Sequence, residues 1–162
     1  MNERDIAAQS IVEKNVWWAA GAGLVPIPFL DMAAITAIDM KMLKELSAAY
    51  EVEFIEDRGK AVIASMTGGI GSGLLAYSSK IGSVIKAIPF VGQTIGALSM
   101  PIFGGAVTYA IGTVFTQHYA TGGTMLDFEP DKVRHFFSEQ YEKGKRIVTR
   151  KREPVVAGPV PA

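Results

Sequence analysis

Cysteine is absent from the 162-residue chain, which removes disulfides, thiolate nucleophiles and most structural zinc sites together. Histidine is nearly absent. His118 and His135 form no spaced ligand pair, and His118, beside Tyr119, reads as the polar tip of an apolar helix rather than a metal ligand. No Gly-x-Ser-x-Gly and no Gly-x-x-x-x-Gly-Lys-Ser/Thr occurs, so neither a hydrolase nucleophile elbow nor a phosphate loop is encoded. Net charge is also lacking, with 16 basic against 16 acidic residues, and this excludes a global footprint for nucleic acid. The opening MNERDIAAQS has none of the apolar character of a secretory signal, and is read as a mature, cytoplasmic N-terminus.

The most informative lack is local. Ala61–Ser79 and Ala87–Leu126 contain no Asp, Glu, Lys or Arg, over 19 and 40 residues. A bilayer core needs about twenty largely apolar residues per helix, and both runs are long enough. Hydrophobic residues make up 49% of the chain and only 20% are charged, a balance tilted toward membrane association.

Around these runs the periodicity is helical. A first helix, about Asp5–Gly23, carries Ile6, Ile11, Val12 and Val16 and ends on Trp17 and Trp18, which with Tyr119 are candidate interface anchors. Pro26 and Pro28 cannot lie inside a helix, so they form a rigid turn, with Asp31 placed to cap the next helix. Asp31–Tyr50 is then amphipathic, with Ile35, Ile38, Met42, Leu46 and Ala49 at three- and four-residue spacings and Asp39, Lys41, Lys44 and Glu45 assigned to the other face. A charged connector, Glu51–Lys60, leads into the first charge-free run.

That run holds Gly68, Gly69, Gly71 and Gly73, costly in an aqueous helix but suited to close packing of helices in lipid. Gly69 with Gly73, and Ala106, Ala110 and Gly112 in the second run, are the expected helix-packing face. Gly71-Ser-Gly73 loosely fits a dinucleotide fingerprint, yet no strand precedes it and no βαβ unit surrounds it. Pro89 to Gly92 reads as a second turn, its Ile-Pro-Phe echoing Ile27-Pro28-Phe29, and Pro101 as a kink or first helical turn. Asp127, Glu129 and Asp131 alternate like a calcium loop but lack its glycine and closing glutamate, so they are read as the acidic start of a second amphipathic helix from Pro130. Basic residues cluster at Lys143–Arg152, and 151–162, with three prolines, is expected to be a tail.

The expected fold is all-α: one helical domain over 1–150, in which two amphipathic helices flank a glycine-rich apolar hairpin at about 61–119. Three placements of the hairpin are compatible with its length: two spans, a dip into one leaflet, or a buried hairpin in a soluble interaction module. Fourteen basic residues outside the runs against Lys80 and Lys86 between them put both termini in the cytoplasm if the runs span.

Pro26-Ile27-Pro28-Phe29-Leu30-Asp31, Ala48-Ala49-Tyr50, Lys86-Ala87-Ile88-Pro89-Phe90-Val91-Gly92 and Thr108-Tyr109-Ala110-Ile111-Gly112 resemble the bacterial domain of unknown function found beside GTPase domains and in YcjF-like inner-membrane proteins. The likeness covers about residues 6–145 and departs where the pattern usually has Tyr-Gly and this chain has Tyr50-Glu51. It implies a helical, inner-membrane accessory module that works with a GTPase. With no phosphate loop here, the GTPase would act in trans. The sequence therefore points to a non-enzymatic protein with no cofactor, bound to membrane lipid and self-associating through its hairpin.

Overall fold

The computed structural model describes residues 2–24, 30–67 and 91–156, with side chains described for 2–24, 33–67 and 100–151. Every regular element among them is a helix: α1 (Glu3–Ala22), α2 (Leu30–Ala49), α3 (56–67), α4 (Val91–Ala120) and α5 (Pro130–Val156). Pro26, Pro28, Gly69, Gly73 and Pro89 lie outside the described residues.

Each helix end has a chemical cause. Asn2 and Asp5 form a reciprocal capping box that starts α1, a signal three residues apart in the sequence. α2 ends when Val52 N–H bonds the Ser47 carbonyl and Glu51 N–H the Ala48 carbonyl, which puts Glu51 in the left-handed region at φ 57°. α4 stops in the same way on Gly122, at φ 91°. Pro130 opens α5, where its missing N–H costs nothing.

α4 is the axis of the bundle. From Phe103 to Phe115 nearly every side chain is buried, whichever way it points, because α1, α2 and α5 all pack on it. Val107, Ile111, Val114 and Phe115 are fully enclosed, each worth roughly 1.5–3 kcal/mol of burial. α1 and α5 run antiparallel to α4 and α2 runs parallel, as shown by the positions that meet: Gly23 with Pro101, Gly112 with Val12 and Met42, Gly144 with Ala106, Ile35 with Gly104.

Several expectations change here. The stretch Pro101–Tyr119, expected as one arm of a hairpin and a span-length helix, is the central core helix of a protein bundle. Among the described residues no helix is long and apolar enough to cross a membrane. Pro101 does not start α4, which runs through it from Val91. Burying a helix on three sides outweighs the ~3 kcal/mol that an internal proline costs. The connector is shorter than expected, since α3 begins at 56, and α5 continues to Val156, past the start of the expected tail.

Candidate functional site

One end of the bundle stands out, where α1 finishes, α2 begins and α1's last residues meet α4. Gly23 lies against the backbone of Met100 and Pro101, so close that a Cβ would overlap both. Its N–H returns to the Ala19 carbonyl and ends the helix. Lack of a side chain at Gly23 thus seats α1 on α4. The same economy recurs along α4: Gly104 admits Ala19 and Ile35, and Gly105 admits Val148 and Ala20. The bundle is tight because its axis is lined with small residues.

Large apolar side chains are left in the open at both ends of the bundle, Ile6 and Leu126 at the far end and a tryptophan and a leucine at this one. Trp18 is 65% and Leu24 61% exposed. Trp17 is half-buried, with Lys151 Nζ 5.0 Å from its ring centroid and that ammonium also paired to Glu13 at 3.4 Å. Of the three expected interface anchors, Trp17 and Trp18 therefore share this end. Tyr119 sits at the opposite end of α4, 4% exposed, with its hydroxyl 3.0 Å from Ser47 Oγ.

The expected packing residues divide between faces. Ala106 and Ala110 are fully buried on one side of α4, Ala106 against Gly144 of α5. Gly112 points more than about 100° away, against Val12 of α1 and Met42 of α2. All three are filled by helices of the same chain. Asp31 lies one residue inside α2, which starts at Leu30, and Gly92 is the second residue of α4.

The polar interior was not anticipated. Asp39, assigned to the outer face of α2, is fully buried and accepts a 2.6 Å hydrogen bond from Thr108 on α4. Among the described residues its second oxygen has no hydrogen-bond partner. Burial pushes the carboxyl up to about 7, against the opposing effect of the Thr108 bond. The signal was in the spacing, since 39 falls between Ile35 and the buried Met42, Leu43 and Leu46. Buried Asn15 of α1 reaches Glu45 of α2 at 2.9 Å, with Lys14 on the same carboxylate at 3.1 Å. Partial burial raises Glu45, but these partners outweigh it and hold the carboxyl below its usual range. Tyr50 donates to Asp5 at 3.0 Å and is pushed up to about 12 by burial and by that carboxylate.

The α4–α5 connection is held at two points. Asp127 accepts from the Thr124 N–H and hydroxyl and pairs with His118 at 3.2 Å, and the Thr124 bonds hold the carboxyl low. Arg58 of α3 donates to the carbonyls of Met125, Leu126 and Phe128 at 3.1–3.4 Å. His118 lies edge-on to Phe128, which stacks on Phe115 at 4.3 Å. These groups organise a loop. Among the described residues no cluster of three His, Cys, Asp or Glu could hold a metal. A depression of about 480 Å³ on the outer face of α5, lined by His135, Ser138, Glu139, Gln140, Glu142, Lys143 and Arg146, mixes both charge signs.

Comparison with known proteins gives a relative and a family. A magnetosome membrane protein, "Magnetosome membrane protein 22" of Magnetospirillum gryphiswaldense, is 40% identical over 150 residues, which is 91% of this chain and 75% of the relative. No solved structure matches. Residues 1–146 match the family described as "Domain of unknown function (DUF697)", and the chain belongs to that family.

Proposed function

We propose that this chain is a non-enzymatic, membrane-associated accessory protein that attaches through the apolar end of its bundle. One observation carries the reading. The charge-free segment that enters α4 from its N-terminal side joins the bundle at the end where Trp18 and Leu24 stand exposed. The similar magnetosome membrane protein supports it. The anchor in this reading is 68–99, not the whole hairpin, because Pro101–Tyr119 is occupied by α1, α2 and α5. Both termini face the cytoplasm, and the membrane is the inner membrane or one derived from it. Carbonate extraction tests the anchor: the chain is expected in the pellet, and a form lacking 68–99 in the supernatant. Release of the intact chain would overturn integral insertion.

The chain acts with a GTPase in trans and self-associates through Gly69 and Gly73. The motifs shared with GTPase-linked domains and the missing phosphate loop motivate the first part, and the small-residue spacing the second. Cross-linking in cells is expected to recover a GTP-binding protein. Gly69→Leu with Gly73→Leu is expected to lower the oligomer in detergent, and an unchanged mass would sink self-association by that face.

A further inference from the structure

We propose that the α1–α5 corner is an anionic-lipid docking surface, in which Trp18 and Leu24 enter the headgroup region while the last turns of α5 bind lipid phosphates. This rests on the membrane reading above and names the lipid class that the reading leaves open.

The charge argument comes from α5. From Lys143 to Arg152 there are six basic residues and no acidic one. Lys143, Arg146 and Arg150 are exposed and fall within about 60° of one another around the helix. No ion pair is formed by these three among the described residues, whereas Lys145 pairs with Glu142 and Lys151 with Glu13. Glu139 and Glu142 border Lys143 and Arg146 on this face, but from Lys143 to Arg152 the helix carries cations alone, and an anionic surface attracts them.

The apolar argument comes from α1. Glu13 and Trp17 share one side of α1, within about 40°, Lys151 packs on both, and Leu24 follows in the turn just past the end of the helix. The basic last turns of α5 and the last turns of α1 therefore meet through Lys151, at the end of the bundle where Trp17, Trp18 and Leu24 lie. Trp18 lies about 100° further round α1 from Trp17 and is 65% exposed. An exposed tryptophan and leucine at the same end of the bundle as the basic turns of α5 suit the interface of an anionic leaflet, where the ring sits at headgroup depth and the cations meet phosphate. A protein partner with an acidic face offers the charge but not the apolar depth that Trp18 and Leu24 require.

The test floats the full chain with preformed vesicles of phosphatidylcholine alone or with phosphatidylglycerol. A Trp17→Phe background makes Trp18 the sole indole, read by quenching with brominated lipid. Binding is expected to favour anionic vesicles, to fall with salt, and to quench Trp18. Arg146→Gln with Arg150→Gln should lower partitioning onto anionic vesicles on the order of 20-fold, at roughly fivefold per charge, with helicity by circular dichroism unchanged. Leu24→Ser should weaken binding and reduce Trp18 quenching. Equal, salt-insensitive binding to neutral and anionic vesicles, unaffected by the charge variants, would overturn the docking surface while leaving the 68–99 anchor standing. Anionic binding without Trp18 quenching would also overturn it, and no binding to either vesicle would overturn both readings.

Discussion

Raising the pH from 5 to 8 is expected to weaken the bundle through Asp39, and Asp39→Asn is expected to remove that effect. The carboxyl is fully buried between α2 and α4, holds one hydrogen bond from Thr108, and is raised from 3.8 to about 7 by burial. Its folded pKa lies above the unfolded one, so the protonated form favours folding. That contribution is fully present below pH 3.8 and is lost as pH rises through about 7. Across pH 5 to 8 the loss is roughly 2–3 kcal/mol, since each pH unit between the unfolded and folded pKa values removes about 1.36 kcal/mol. Glu45 and Asp127 have lowered pKa values and contribute with the opposite sign, but below the window. Asparagine keeps the shape and the bond from Thr108 while losing the titration. Thermal melts followed by circular dichroism at both pH values check this. The wild-type midpoint should fall relative to Asp39→Asn by roughly 4–12 °C between pH 5 and 8, at about 2–4 °C per kcal/mol for a chain of this size. Parallel pH profiles for the two proteins would refute the reasoning.

Glu51→Gly should stabilise by about 0.5–1 kcal/mol in denaturant melts, because it relieves a left-handed residue worth ~1–2 kcal/mol and gives up only an exposed pair with Arg4. A lower midpoint would show that the Arg4 contact matters more than the backbone. Gly144→Ala should destabilise by about 1–2 kcal/mol despite better helix propensity, since its Cβ would lie 2.9 Å from the Ala106 Cα in a helix that cannot retreat. Gly21→Ala, with nothing within 4 Å, should stabilise by ~0.5–1 kcal/mol, and the opposite signs can be read in one set of melts. Arg58→Met should cost about 1–3 kcal/mol and raise amide exchange across 121–129, since it strips the donor from three carbonyls. Unchanged exchange would mean that the His118–Asp127 contact suffices.

Helix type was legible wherever the apolar period was regular. Ile35, Met42 and Leu46 marked the buried face of α2, and Pro130 the start of α5. The departure at Tyr50-Glu51 marked the turn but not its conformation: Glu51 adopts the left-handed backbone that a glycine there would take without strain. What escaped was the polar content of the core. Asp39 has the right spacing for burial and the wrong chemistry, so it was placed outside; only its Thr108 partner, 69 residues away in sequence, makes the inside tenable. The pairing of small residues with particular helices also escaped. Ala106, Ala110 and Gly112 announce close approach, but not that α5 takes one side of α4 while α1 and α2 take the other.

Charge-free length alone does not say which apolar solvent a helix meets, since lipid tails and packed side chains both exclude charge. In α4 the polar atoms decide. Thr108 binds a buried carboxyl from α2, and the Tyr119 hydroxyl binds Ser47 of α2. Both are directional contacts to a single neighbouring helix, while small residues on the remaining sides let α1 and α5 close on the axis. A helix facing lipid on any side would gain nothing from such groups there. From 100 to 119 the run is therefore built for a protein interior. In the function proposed above, membrane attachment therefore falls to 68–99, which precede it, and to the exposed Trp18 and Leu24 at the same end of the bundle.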